Sequence, residues 1–596
     1  MVSLALKATA FCLVITLIES HMINIYQLFP RIFGNKVQEH FVNGSIASNG
    51  CGKFSDINAK ALNALKELGI TNIWLTGIIR HAKLTNYSAF GVPASHPSLV
   101  KGMAGSPYAI TDYYDVDPDL ADDVSNRMSE FEQLIQLIHE QGLKIIIDFI
   151  PNHLAREYKS VAKTSGVYDF GENDNKNLAF HPDNNFYYLP GKSFMPPKRE
   201  DPIYSSETLY TEQPAKVTGN DCFHASPSLT DWFETVKLNY GVDYVNLSEQ
   251  HFDPIPDTWH KMLHVLKYWT SKGLDGFRAD MAEMVPVPFW SWAIRNLKSD
   301  YPETTMIAEI YQPALYNDFV AAGFDFLYDK VGLYNRFSDI LLHSHAAESI
   351  SICNNMPDKI VDKMVRFMEN HDELRLASHH FLGDATIALP AVTLSAWMHS
   401  GAFMIYNGQE SGENAEGVVG FSRDDGRTSI YDYCHMPKHQ RWMNSGKFDG
   451  GKMLFDQKLL FEAYKKILRF RMNIPALREG SFYDLMWANP WFTEFDPRYV
   501  YAFLRYTEHQ RLLVVTNFNR HESRKMRVNI PEDAKELTKI VAIENRKWVA
   551  VNLINPTEKI DFNPYDLQTI GIHLRVGPSQ TAIYELVAIE FDDQEG

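Results

Sequence analysis

Cysteine is scarce in this chain: 5 in 596 residues, at Cys12, Cys51, Cys222, Cys353 and Cys434. None sits in a CxxC or Cys/His spacing, which excludes a zinc site of the usual kind, and their sparseness excludes a disulfide framework. Cys51 and Cys222 fall in long loops and are the one pair considered for a bridge; free buried thiols are the reading adopted. Positive charge is short as well. The 57 Lys and Arg face 74 Asp and Glu, a net charge of −17, with no basic stripe. That argues against a nucleic-acid partner, because phosphates need a basic face. No phosphate loop is present, and no G-x-G-x-x-G follows a strand, so nucleotide chemistry has no support. Long apolar runs are missing too. The longest, Ala8–Ile18, is too short to span a bilayer and fits the core of a signal peptide over residues 1–20. The expected location is therefore secreted or periplasmic; the alternative is a misplaced start codon ahead of a cytoplasmic enzyme.

What remains is ordinary for a globular protein, with 45% apolar and 22% charged residues. The aromatic share of 13% suits ring stacking on sugars and a large core equally. Eight short apolar runs read as strands: Ile23–Phe29, Asn72–Thr76, Lys144–Phe149, Leu274–Ala279, Thr305–Ile310, Phe324–Tyr328, Val365–Met368 and Phe403–Tyr406. Most are continuous rather than alternating, the mark of strands buried on both faces of a parallel sheet. Helical patterns such as Asn58–Leu68, Met128–Gln141 and Thr258–Lys272 lie between them. Strand and helix in repeated alternation predict an α/β fold, a (β/α)8 TIM barrel over residues 21–152 and 229–480. A polar, Pro-rich and aromatic segment, 153–228, reads as a subdomain inserted after the third strand. From 481 to 596 the pattern changes to short strands and turns, among them VYAFLRY, RLLVVTNF and KIVAIEN, predicting a C-terminal antiparallel β-sandwich.

Four of the barrel runs stop in, or just before, an acid: Asp148, Asp280, Glu309 and Asp372. A charge is costly inside a sheet, but at a strand's C-terminal mouth it faces a cleft. Asp280 and Glu309 end neighbouring strands, so they form a candidate pair for glycosidic chemistry, which needs two carboxyl groups with opposite duties. Arg278 lies two residues before Asp280 and shares its face of the strand, where it would hold Asp280 ionised. Glu309 has no fixed cation nearby in sequence and is the better proton holder. Singly, each acid could be a helix cap and Arg278–Asp280 a plain structural ion pair. Four acids at four mouths, two of them close to Asn-His, form the informative pattern.

These segments resemble the α-amylase superfamily, glycoside hydrolase family 13. DFIPNH (Asp148–His153) is similar to that family's D-x-x-x-N-H, GFRAD (Gly276–Asp280) to G-x-R-x-D, AEIY (Ala308–Tyr311) to its general-acid segment, and FMENHD (Phe367–Asp372) to F-x-x-N-H-D. SPYAITDYYDVDP and FMIYNGQE resemble its segments at the second and eighth strands. The resemblance implies a retaining α-glycoside hydrolase acting on α-glucans or malto-oligosaccharides, with Asp280 as nucleophile, Glu309 as acid and then base, and Asp372 as their helper. It also implies that Tyr108, Asp148, His153, Arg278 and His371 line the sugar subsite at the bond to be cut. A transglycosylase on the same fold is the alternative, and a dead binding protein the reading from another class. The chain departs from the family where many members carry Lys-His after the nucleophile: here stand Glu283 and Met284. That departure argues against the usual structural calcium, for which Asn152 is the one candidate ligand; no cofactor is required.

Overall fold

The computed structural model describes residues 22–353, 358–417, 420, 423–491 and 494–590. The leader reading on residues 1–20 and Cys12 lie outside them. Eight parallel strands form one sheet: β1 (Asn24–Leu28), β2 (Asn72–Leu75), β3 (Lys144–Phe149), β4 (Gly276–Ala279), β5 (Thr305–Ala308), β6 (Phe326–Tyr328), β7 (Met364–Val365) and β8 (Phe403–Tyr406). Each pairs with the next in sequence, and β8 returns to β1 in the register Asn24↔Phe403 to Gln27↔Tyr406. A bridge between Arg366 and Phe403 joins the last two strands, so the barrel closes without an edge.

One helix follows each strand: α1 (Ala59–Leu68), α2 (Arg127–Glu140), α3 (Asp257–Ser271), α4 (Val287–Asp300), α5 (Tyr316–Ala322), α6 (Asn335–His343), α7 (Leu389–Trp397) and α8 (Phe455–Asn473). Local rules set their ends. The Asn58 side chain accepts the Lys60 and Ala61 N–H groups at the start of α1, a cap worth about 1 kcal/mol. Gly69 takes a left-handed φ of +112° at its end, a conformation that favours glycine. Between them Ala61, Leu62, Leu65 and Leu68 repeat at helical spacing and are buried toward the barrel. The barrel interior is filled by Ile25, Trp74, Ile146, Ile307, Tyr328, Val365 and Met404, while β4 contributes the buried Arg278. The middle of the barrel is thus largely apolar, and the catalytic candidates gather at the mouth.

The insertion runs further than residue 228. Its strand His153–Ala155 pairs antiparallel with Thr235–Lys237, and a small hairpin, Val242–Asp243 with Glu249–Gln250, precedes α3. These strands are two or three residues long, below what an apolar pattern reveals. The FYYLPGKSFMPP stretch packs inward, with Phe186, Tyr187, Tyr188 and Phe194 buried, as the insertion's own core.

The C-terminal region is a sandwich of a six-stranded antiparallel sheet and a two-stranded one. KIVAIEN is not one of its strands. A helix, Glu532–Thr538, precedes it and ends at Lys539 in the left-handed region, and Val541 and Ile543 are exposed. Arg505, buried, ties the sandwich to the barrel by donating to the Met398 carbonyl at 2.7 Å. The four described cysteines, Cys51 and Cys222 included, are free thiols. Among the described residues no helix is long and apolar enough to cross a membrane.

Candidate active site

The barrel mouth brings the four acids together. Asp148 is the fifth residue of β3, opposite Arg278 in register; Asp280 and Glu309 each follow the last residue of their strand. The ladder continues one step past the strands: the Asp280 N–H bonds the Phe149 carbonyl at 2.8 Å, and the Glu309 N–H bonds Ala279 at 3.1 Å. Backbone hydrogen bonds therefore fix the start of both side chains.

Arg278 is the hub. Its Nη1 donates to Asp280 Oδ1 at 2.8 Å and to Asp148 Oδ1 at 3.2 Å, and its Nη2 lies 2.8 Å from Glu309 Oε2. The sequence reading gave this cation to Asp280 alone and none to Glu309, and that is corrected here. The β4–β5 register sets Arg278 opposite Ile307, two residues before Glu309, so one planar fork reaches both carboxyls. The rings of Trp74, Tyr108 and Tyr328 surround the guanidinium at 5.4 to 5.6 Å and shield it from water. Burial alone would lower its pKa, but Glu309, Tyr328, Tyr108 and Asp280 outweigh that and raise it, so it stays charged.

The carboxyls of Asp280 and Glu309 stand at the two terminal nitrogens of one guanidinium. Each ionised carboxylate opposes the ionisation of the other. Burial pushes both acids up, and Arg278 pulls both down. Burial also raises Asp148 to about 7 and Asp372 to about 8, against the pull of Arg278.

Glu309 is held at both oxygens. Oε2 accepts the Met281 N–H at 2.7 Å, and Oε1 accepts the Tyr311 hydroxyl at 2.5 Å. Met281 has φ +43° and ψ +45°, a left-handed conformation that costs a non-glycine residue about 1–2 kcal/mol.

His371 stands between Gln27 Nε2 at 2.7 Å and the Tyr108 hydroxyl at 2.5 Å, and 3.2 Å from Asp372. Burial and Arg278 lower its pKa well below the ordinary value, so it is neutral. The Tyr108 ring stacks on His371 with centroids 5.3 Å apart, which covers one of its faces. His153 packs against Trp232 at 5.1 Å, is lowered to about 3 by burial, and meets the site through the Tyr108 backbone.

Asn152 faces a side-chain cation. Its Oδ1 accepts from Lys237 Nζ at 2.6 Å, and the same ammonium reaches Asp221 Oδ1 at 2.8 Å and the Met284 carbonyl at 3.3 Å. Lys237 is 2% exposed. A metal ion beside Asn152 Oδ1 would meet this charge, so the residues present do not fit a calcium there. Among the described residues one His/Asp group has metal-ligand spacing, the exposed His379, His380 and Asp424.

Sequence reasoning missed Lys237, Gln27, Trp74, Tyr311 and Glu283 as parts of the site. Tyr311 could have been found, since alternation places it on the same side as Glu309. Nothing local marks Lys237, which only the fold brings to Asn152.

A closed (β/α)8 barrel with a carboxyl pair at its C-terminal mouth is the architecture of a glycoside hydrolase. The family model "Alpha amylase, catalytic domain" matches residues 27–480. The chain belongs to this α-amylase family. It is 24% identical over 558 residues to Alpha-amylase 3 of Dictyoglomus thermophilum, covering 90% of this chain and 92% of that protein. Neopullulanase 2 of Thermoactinomyces vulgaris is 23% identical, covering 85% of this chain and 71% of the relative. The fold is shared with the maltogenic alpha-amylase AmyB of Thermotoga neapolitana, with a TM-score of 0.58 and 18% identity over 95% of this chain and 98% of that one. An oligosaccharide is the substrate such a family member takes.

Proposed function

We propose that this protein is a retaining α-glycosidase acting on α-glucans or malto-oligosaccharides, with Asp280 and Glu309 as the reacting pair. The observation that carries the reading is the Arg278 fork, which holds both carboxyls side by side at the mouth. Retaining enzymes keep their carboxyls about 5–5.5 Å apart, and two acids gripped by one guanidinium favour that spacing over the wider gap of an inverting enzyme. Asp280, nearest Nη1, attacks the anomeric carbon while Glu309 gives its proton to the departing glycosidic oxygen. The C–O bond to the leaving sugar breaks as the bond to the Asp280 oxygen forms. Glu309, now a carboxylate, takes a proton from the incoming water, whose oxygen displaces Asp280. Asp372, beside His371, accepts sugar hydroxyls. Asp148, Tyr108, His153 and His371 shape the same subsite.

Calcium has no step in this scheme, and we propose that Lys237 does the tethering that a cation would do at Asn152. Water is the acceptor in the proposed reaction; a sugar hydroxyl in its place would make the enzyme a transglycosylase. Two measurements test the reading. Proton NMR of the first product formed from maltoheptaose should show the α-anomer. Initial release of the β-anomer refutes retention. Products longer than maltoheptaose refute a purely hydrolytic enzyme.

A further inference from the structure

We infer that Tyr311 is the positioning residue that fixes which oxygen of Glu309 carries the catalytic proton, and that Glu283 holds Tyr311 in place. The inference rests on the proposed role of Glu309. Its geometry is separate. Glu309 Oε2 already accepts the Met281 N–H at 2.7 Å and lies 2.8 Å from the Arg278 guanidinium as its ion-pair partner. A proton on Oε2 would point into one or the other, so the acidic proton belongs on Oε1. The Tyr311 hydroxyl sits on that oxygen at 2.5 Å. The phenol has the one property this atom requires: it can accept the Oε1 proton while the acid is charged with it, and donate to Oε1 after the proton has gone to the leaving sugar. No N–H donor can do both.

Tyr311 does not hold itself. Glu283 Oε2 accepts the Tyr311 N–H at 2.9 Å and the Gln312 N–H at 3.1 Å, clasping the turn after β5 to the turn after β4. Glu283 stands where many family members carry the Lys of Lys-His. A lysine could not accept these two N–H groups. The departure therefore becomes intelligible as an exchange of a cation for an anchor.

The charged groups facing Glu309 are Arg278 and Asp280 from the end of β4, Asp372 beyond β7, and Asp148 of β3. Those facing the Tyr311 hydroxyl are Glu309, Asp372 and Arg278. Burial first, and then the carboxylates, push the phenol toward its neutral form, so it remains a donor through the working range. Its donation stabilises ionised Glu309 and lowers that acid's pKa.

The test compares Tyr311→Phe, Glu283→Ala, Glu283→Gln and Glu309→Gln by the pH dependence of kcat/KM on maltoheptaose. Phe keeps the ring and loses the hydroxyl. It should move the alkaline limb, which reports the acid of the free enzyme, upward by roughly one pH unit. It should also slow turnover of α-glucosyl fluoride about tenfold, because fluoride leaves without a proton and the base step then limits. Glu283→Ala should move the limb in the same direction, and Glu283→Gln, which still accepts both N–H groups, should leave it in place. A Tyr311→Phe enzyme with the wild-type limb and the wild-type fluoride rate overturns the inference, as does a shift with Glu283→Gln equal to that with Glu283→Ala. Glu309→Gln separates this from the parent reading. Full maltoheptaose turnover in that variant overturns the role of Glu309 itself.

Discussion

The replacement of Lys237 by Met tests the tether at the mouth most directly. The change removes an ammonium that bonds Asn152 and Asp221 at 2.6 and 2.8 Å and the Met284 carbonyl at 3.3 Å. Asn152 is fully buried, so its Oδ1 is left without a donor, at about 1–3 kcal/mol. The Asp221 side chain is 43% exposed and recovers water, so that pair contributes little, about 0–1 kcal/mol. Against these losses stands the desolvation of the ammonium itself, which lowers its pKa and is relieved in the Met variant. The balance is a destabilisation of about 1–3 kcal/mol, concentrated where the insertion meets the barrel. Denaturation in urea, with and without EDTA and with added calcium, measures it. The wild-type midpoint should be the same in all three media, and Lys237→Met should unfold at lower urea. A wild-type protein that loses stability in EDTA and regains it with calcium refutes the argument, because then an external cation and not Lys237 bridges the mouth.

The other expectations are briefer. Asp280→Asn keeps the shape and loses the nucleophile, so kcat should fall roughly 10⁴-fold or more with an unchanged circular dichroism spectrum; appreciable turnover would reassign the nucleophile. Asp148, raised to about 7, takes up a proton on folding. Its contribution to stability is complete below the ordinary carboxylate pKa near 4 and is lost as pH rises through 7, with a ceiling of about 4 kcal/mol at 1.36 kcal/mol per unit. Denaturation from pH 5 to 9 should therefore show a decline that Asp148→Asn flattens; an equal slope in both proteins counts against it. His153, lowered to about 3, works in the other direction, and its share is lost as pH falls below about 6.5. His153→Gln should reduce the acid-side loss of stability in the same titration.

The barrel was legible because parallel strands buried on both faces write themselves as short apolar runs, and all eight such runs are strands here. The insertion's end was not, because its strands hold two or three residues and their order comes from long-range pairing. KIVAIEN misled because Ile540 is buried and its apolar neighbours are not, so a loop after a helix imitates a strand. At the site the acids could be read from position alone. Of the partners of Glu309, Tyr311 was within reach of alternation along its own segment, whereas Arg278 and Met281 reach it across the β4–β5 register and were not.

The Arg278 fork has one more consequence. One guanidinium answers three acids, Asp148, Asp280 and Glu309, with Asp372 close by, so the mouth is short of positive charge. Burial, which pushes all four acids toward their protonated forms, answers part of that shortage. The species that would satisfy it is an oxocarbenium-like sugar ring, whose charge exists only while the bond is breaking. An electrostatic vacancy set in place before the substrate arrives selects for the fleeting ion over the neutral sugar, and it does so without any further movement of the protein.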